Sequence, residues 1–259
     1  MRCRLVASVL VVLALTGCAG QGPEPGPGTA PGTTPARDAD SLSVLVFTRT
    51  TGFRHASIDD GVAAIRKLGA ANGFTVEATD DPARIEAATL ERFRVVVFLS
   101  TTGDPLDPAQ QAALRQWVEG GGGWVGVHAA ADAFYGWPWY GELVGAWFKR
   151  HPAVQQATVR VTDRDHPSTR SLPATWSRAD EWYDFRDNPR GGAQVLAVVD
   201  ESSYQGGGMG DDHPVSWCHP QGRGRSWYTA LGHTRQSWSE APFLDHLLGG
   251  IRWAGGADS

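Results

Sequence analysis

Five consecutive apolar residues, Val95-Val96-Val97-Phe98-Leu99, run without a polar residue between them. Successive side chains of a strand point to opposite faces, so a strand of this composition has to be covered on both sides. That requirement points to an open, mostly parallel sheet with helices on both faces. Ser43 to Thr48 and Trp124-Val125-Gly126-Val127-His128 are short apolar runs of the same kind, and Phe74 to Ala78 reads as a further strand.

Helical patterns separate these runs. Ser57 with Asp60 three residues later gives a capping-box-like start, and Ile58, Val62, Ile65 and Leu68 follow at helical spacing. Asp107-Pro108 supplies an N-cap and a first-turn proline, Leu114, Trp117 and Val118 an apolar face, and Gly120 to Gly123 a stop. The second half is less regular, with strands expected at Thr158 to Thr162, Gln194 to Val199, Val215 to Cys218 and Ser226 to Leu231, then a helix from Ala241 to Trp253. No internal repeat or second linker interrupts residues 43 to 256, so one α/β domain is expected there.

The first residues have a different character. Arg2 and Arg4 precede an apolar run from Leu5 to Leu15, too short to span a bilayer, and then Leu15-Thr16-Gly17-Cys18. This order reads as an export signal over residues 1 to 17 that ends at a bacterial lipobox, with Cys18 as the lipidated residue and the outer face of the cell membrane as the destination. Residues 18 to 42, rich in Gly, Pro and Thr, read as a disordered tether with a reach of roughly 25–30 Å. Removing Arg2 and Arg4 from 23 basic residues leaves 21 against 28 acidic ones, a formal charge of −7. With no Lys/Arg cluster to offset that field, nucleic acid is excluded as a partner. Cys3 leaves with the signal and Cys18 takes lipid, so Cys218 alone remains and no intrachain disulfide is expected.

Ligands of open α/β sheets bind outside the carboxyl ends of the strands. The segments leaving those ends are Arg49 to His55, Thr101 to Asp104 and His128 to Asp132, all polar or histidine-bearing and rich in small residues. Five segments, Thr51-Gly52-Phe53-Arg54-His55-Ala56-Ser57-Ile58, Gly122 to Ala129, Asp180-Glu181-Trp182-Tyr183, His213 to Trp217 and Tyr228 to His233, resemble the successive signatures of the ThuA-like, or trehalose-utilisation, family. The resemblance runs from Ser43 to Gly255. It implies the class I glutamine-amidotransferase-like, Rossmann/flavodoxin-like fold, with an antiparallel portion added in the second half, and an association with carbohydrate metabolism.

It also marks departures. His128 stands where the amidotransferase superfamily carries its nucleophilic cysteine, and His233-Thr234-Arg235 lacks the glutamate that follows its histidine by two. A Cys-His-Glu triad is therefore rejected. The expected catalytic groups are His128, His55, Asp132 and His233, with His128 and Asp132 sharing a helical face if a helix follows the turn directly. Arg54, Asp180, Glu181, Tyr183, His151, His213 and Trp139 are the expected ligand-binding groups. Histidine beside carboxylate serves acid–base chemistry or ligates a divalent transition metal. No spacing as tight as His-Glu-x-x-His is present, so the cofactor stays open.

The plainer alternatives are loop histidines at His151, His166 and His213, each followed by proline, and a solvated Asp180-Glu181 pair. Among the 11 tryptophans, Trp117, Trp124 and Trp253 read as core, whereas Trp137-Pro138-Trp139-Tyr140 reads as a loop wall. The leading function is an exported protein acting on a sugar, oxidised sugar or glycoside. The alternatives are a non-catalytic sugar-binding lipoprotein and a structural or partner-binding module.

Overall fold

The structure, a computed structural model, describes residues 42–257. The export segment, Cys18 and the Gly/Pro/Thr-rich stretch lie outside the described residues. Strands β1 (Ser43–Phe47), β2 (Thr75–Thr79), β3 (Val95–Leu99) and β4 (Gly123–Val127) alternate with helices α1 (Ile58–Asn72), α2 (Ala87–Leu90) and α3 (Pro108–Glu119). Helix α4 (Pro138–Val144) follows, then β5 (Phe148–Arg150), β6 (Gln155–Val161), β7 (Thr175–Asp180), β8 (Asp184–Phe185), β9 (Gln194–Asp200), β10 (Pro214–Gln221), β11 (Gly224–Thr229) and α5 (Ala241–Ala254).

Nine strands form one sheet in the order β2-β1-β3-β4-β11-β10-β9-β6-β7, and β5 pairs with β8 separately. From β2 to β11 every neighbour is parallel, and from β11 to β7 every neighbour is antiparallel. Four successive reversals leave β7 pointing the same way as β1, β4 and β11. The chain therefore leaves all four strands at one edge of the sheet, and this sets up the site.

Every side chain from Val95 to Leu99 is completely buried, as the unbroken apolar run requires. Burial of each large one stabilises the fold by about 1.5–3 kcal/mol. Alternation along β4 shows which helices cover which face. Trp124 meets Tyr140 of α4 edge-on at 5.8 Å, while Gly123, one residue earlier and so on the opposite face, abuts Ala254 of α5. A Cβ on Gly123 would stand 2.2 Å from the Ala254 carbonyl oxygen, so only glycine allows α5 to approach this closely.

The α3 start is as expected, because Asp107 accepts from the Ala109 and Gln110 amides and the Gln110 side chain accepts from Asp107 N–H. The expected cap at Ser57 is not formed. Its backbone is helical, and its hydroxyl donates across the fold to the Gly232 carbonyl at 3.3 Å. Residues 137–140 are not a loop wall either, since Pro138 occupies the first turn of α4, where its missing N–H costs nothing. Strand β7 was not expected because its buried face is Trp176, Arg178 and Asp180, two of them charged, which hides the alternation from a hydrophobicity reading.

Candidate functional site

Each end of these four strands delivers one side chain to a common point. His55 comes from the loop after β1, His128 follows β4 directly, Glu181 follows β7, and His233 lies four residues beyond β11. One donor atom from each lies within 4.8 Å of the others. The three imidazole centroids are 4.8, 5.0 and 5.2 Å apart.

His128 has φ 51, in the left-handed region, at the turn where β4 ends. Such a conformation costs a non-glycine residue about 1–2 kcal/mol. Two buried phenols fix the turn, with Tyr228 donating to the His128 carbonyl and Tyr140 to the Ala130 carbonyl, both at 2.7 Å. The His128 Nδ1–H donates to the Ala230 carbonyl at 2.7 Å. That bond sets the tautomer and leaves Nε2 facing the cluster, 3.1 Å from His233 Nδ1 and 3.4 Å from Glu181 Oε2.

Glu181 holds the centre. Its Oε2 lies 3.1 Å from His233 Nδ1, and its Oε1 lies 3.1 Å from His151 Nδ1. Burial disfavours its charge, but the contacts with His233, which donates to it, and with His128 outweigh burial and hold the carboxyl well below the usual range. The same hydrogen bond raises His233 against the opposing effect of burial. Burial, with His128 and His233 adding, lowers His55 to about 3, so it stays neutral. Its Nδ1 is buried with no hydrogen-bond partner among the described residues.

Of the expected site residues, His55, His128, His233 and Glu181 thus meet directly, and His151 and Tyr183 border them. The Tyr183 ring lies 4.4 Å from His128, and burial, reinforced by Glu181, pushes its phenol well above its ordinary value. The others are placed elsewhere. Asp132 does not share a helical face with His128, because His128–Ala131 is a single 3-10 turn, and its carboxylate instead accepts from Tyr135 at 2.6 Å. Arg54 is half-exposed and tied to the Thr48 carbonyl and Asp59.

Asp180 is completely buried behind the cluster and paired with Arg178. His213 lies in a second group, donating from Nε2 to the Tyr183 carbonyl at 2.8 Å with Nδ1 2.8 Å from Glu201. Trp139 is buried on α4 and donates to Glu119 at the end of α3, hence toward the opposite edge of the sheet. Burial pushes the Cys218 thiol up to about 12, which is no state for a nucleophile.

A cavity of about 300 Å³ opens beside His55 and His233 of the cluster, lined also by Phe53, Ser57, Val154 and Arg235. Phe53 is 68% exposed, and its ring stands edge-on to His55 at 4.9 Å. Its role was not singled out from the sequence, although an aromatic two residues before a strand-end histidine is a usable signal. Arg178 was missed as well, since nothing local distinguishes a buried arginine from a solvated one.

A solved structure from Bacteroides uniformis, described as ThuA-like, is 26% identical with a TM-score of 0.70, over 85% of this chain and 94% of that one. A second ThuA-like structure, from Parabacteroides merdae, is 21% identical with the same TM-score, over 83% of this chain and 90% of that one. A β-galactosidase from Bacillus circulans, 16% identical with a TM-score of 0.55, shares the fold over 83% of this chain and 31% of its own. No curated protein sequence matches. The family model for trehalose utilisation matches residues 43–254, from the start of β1 to the last residue of α5, and the chain belongs to the ThuA family.

Proposed function

We propose that this protein acts on a sugar, an oxidised sugar or a glycoside, held in the cavity between Phe53 and the His55/His128/Glu181/His233 cluster. The convergence of three imidazoles and one carboxylate carries the reading, with His55 and His233 lining the cavity and His128 and Glu181 buried directly behind them. Membership of a family tied to trehalose utilisation supports the carbohydrate class. The cavity lies at the lower end of the range for small-molecule sites, roughly 300–1,000 Å³, a size suited to one sugar ring at a time. The exposed Phe53 face offers a stacking surface for the C–H face of that ring, and Arg235 and Thr234 at the rim offer hydrogen bonds to hydroxyls.

The cluster is the reacting centre. His128 presents an imidazole nitrogen of fixed tautomer, Glu181 an anionic oxygen, and His233 a proton held against that oxygen. Together they can accept a proton from one substrate atom and return it to another. The lipobox-like Leu15–Cys18 supports a site of action outside the cytoplasm, where the protein would meet sugars as they enter the cell.

The test is incubation of the full chain with trehalose, glucose and their singly oxidised keto derivatives. Thermal unfolding reports binding and carbohydrate chromatography reports turnover. At least one of these compounds should raise the unfolding temperature and be consumed, and Glu181→Gln should abolish consumption. The reading falls if none binds, or if Glu181→Gln turns the substrate over at the wild-type rate.

A further inference from the structure

We infer that His55, His128, Glu181 and His233 form a binding site for one divalent transition-metal ion. This rests on the reading that the cluster is the reacting centre, and says what that centre holds. The first observation is distance. Donors bound to one ion at about 2.0–2.2 Å stand roughly 3–3.5 Å apart. His128 Nε2, His233 Nδ1 and Glu181 Oε2 form a triangle with sides of 3.1, 3.4 and 3.1 Å.

The second is the unpaired nitrogen. Hydrogen bonding accounts for three members of the group, because one proton on His233 Nδ1 can be shared between Glu181 and His128. Among the described residues nothing comparable reaches His55, whose Nδ1 is buried and unpartnered in a residue only 5% exposed. An unpaired polar group in that position costs stability, and a cation gives all four residues a partner at once.

The third is the support behind the donors. His128 donates its other nitrogen to the Ala230 carbonyl, which orients Nε2 inward. Glu181 has its second oxygen against His151. His233 is fixed through its backbone N–H, which donates to the buried Asp180 carboxylate at 3.1 Å. Outer contacts of this kind orient metal ligands and set their basicity.

The donor set favours a transition ion. Three imidazoles and one carboxylate suit zinc, nickel, cobalt or iron, whereas calcium and magnesium prefer all-oxygen sites. The set carries a single negative charge, so a bound divalent ion keeps net positive charge. The cavity beside His55 and His233 gives a sugar oxygen access to it. The neighbouring group of Asp184, Glu201 and His213 differs, because Asp184 already has a cation, the Arg150 guanidinium at 2.6 Å.

The experiment uses the full chain, stripped with a chelator and dialysed in turn against zinc, nickel, cobalt and manganese, with metal content measured by mass spectrometry and cobalt binding read from its visible absorption. We expect about one ion per chain and a raised unfolding temperature. His233→Ala, at a partly buried position, and His55→Asn should each weaken binding by at least the roughly 10–100-fold that changing a supporting group costs. His213→Asn should bind the ion as wild type does. Circular dichroism verifies that each variant is folded, and either His variant alone is sufficient for the comparison. Wild type with no bound ion, or both cluster variants with wild-type affinity, overturns the site. Metal binding without any sugar binding would sink the proposed function and leave the metal site standing, while sugar turnover by a wild type that takes up none of the four ions would do the reverse.

Discussion

The Asp180 carboxylate holds His233 by its backbone N–H, not by its imidazole. The completely buried Asp180 carboxylate accepts from His233 N–H at 3.1 Å and from Gly232 N–H at 2.9 Å, and pairs with Arg178 at 2.9 Å. Asp180 therefore holds the segment that carries His233 and does not face a ligand. Removing one member of a buried ion pair leaves the other charge uncompensated, at a cost of about 3–5 kcal/mol. Asp180→Ala should lose stability of that order in urea unfolding. A loss below about 1 kcal/mol would show that Glu240, 3.3 Å from Arg178, suffices alone.

His128 adopts φ 51, which glycine accepts and alanine does not. Both His128→Gly and His128→Ala delete the imidazole and its bond to Ala230, so their difference isolates the backbone. The glycine variant should be the more stable by about 1 kcal/mol, measured by chemical denaturation, with activity lost in both. Equal stabilities would mean that the turn relaxes once the ring is gone.

His246 lies buried on α5 with its ring 4.7 Å from Trp227, and its Nδ1–H donates to the Ser168 carbonyl at 2.9 Å. Burial lowers its imidazole from the ordinary 6.5 to about 3, so between these values the unfolded chain takes up a proton that the folded protein refuses. Its contribution to stability is complete above pH 6.5 and falls as pH drops toward 3, by up to about 1.4 kcal/mol per pH unit. His55 acts with the same sign. His246→Asn should flatten the loss of stability between pH 6.5 and 4.5 in urea titrations. Parallel pH profiles for the two proteins would refute this.

Anchoring is tested at Cys18. Expressed in a bacterial host, wild type should fractionate with membranes and show acyl mass on Cys18, and Cys18→Ser should move to the soluble fraction. A membrane-bound variant beside an unacylated wild type ends the lipoprotein reading.

The sequence by itself determined the parallel half of the fold, because unbroken apolar runs such as Val95–Leu99 can be satisfied only where both faces are covered. It also determined that His55 and His128 leave one edge of the sheet, since parallel strands joined by helices put their carboxyl ends together, and the family segments extended this to His233. Only the tertiary structure decided which carboxylate meets these histidines. Asp132, four residues from His128, is turned away by the 3-10 turn, and Glu181, more than fifty residues distant, takes the place beside them. The same holds for Asp180 and Glu181, adjacent acids of which one is sealed behind the site and the other is its centre. Consecutive residues at the end of a strand point to opposite sides, so local pattern cannot assign their roles. That assignment depends on β7 folding back through four strand reversals to the edge where β1, β4 and β11 end.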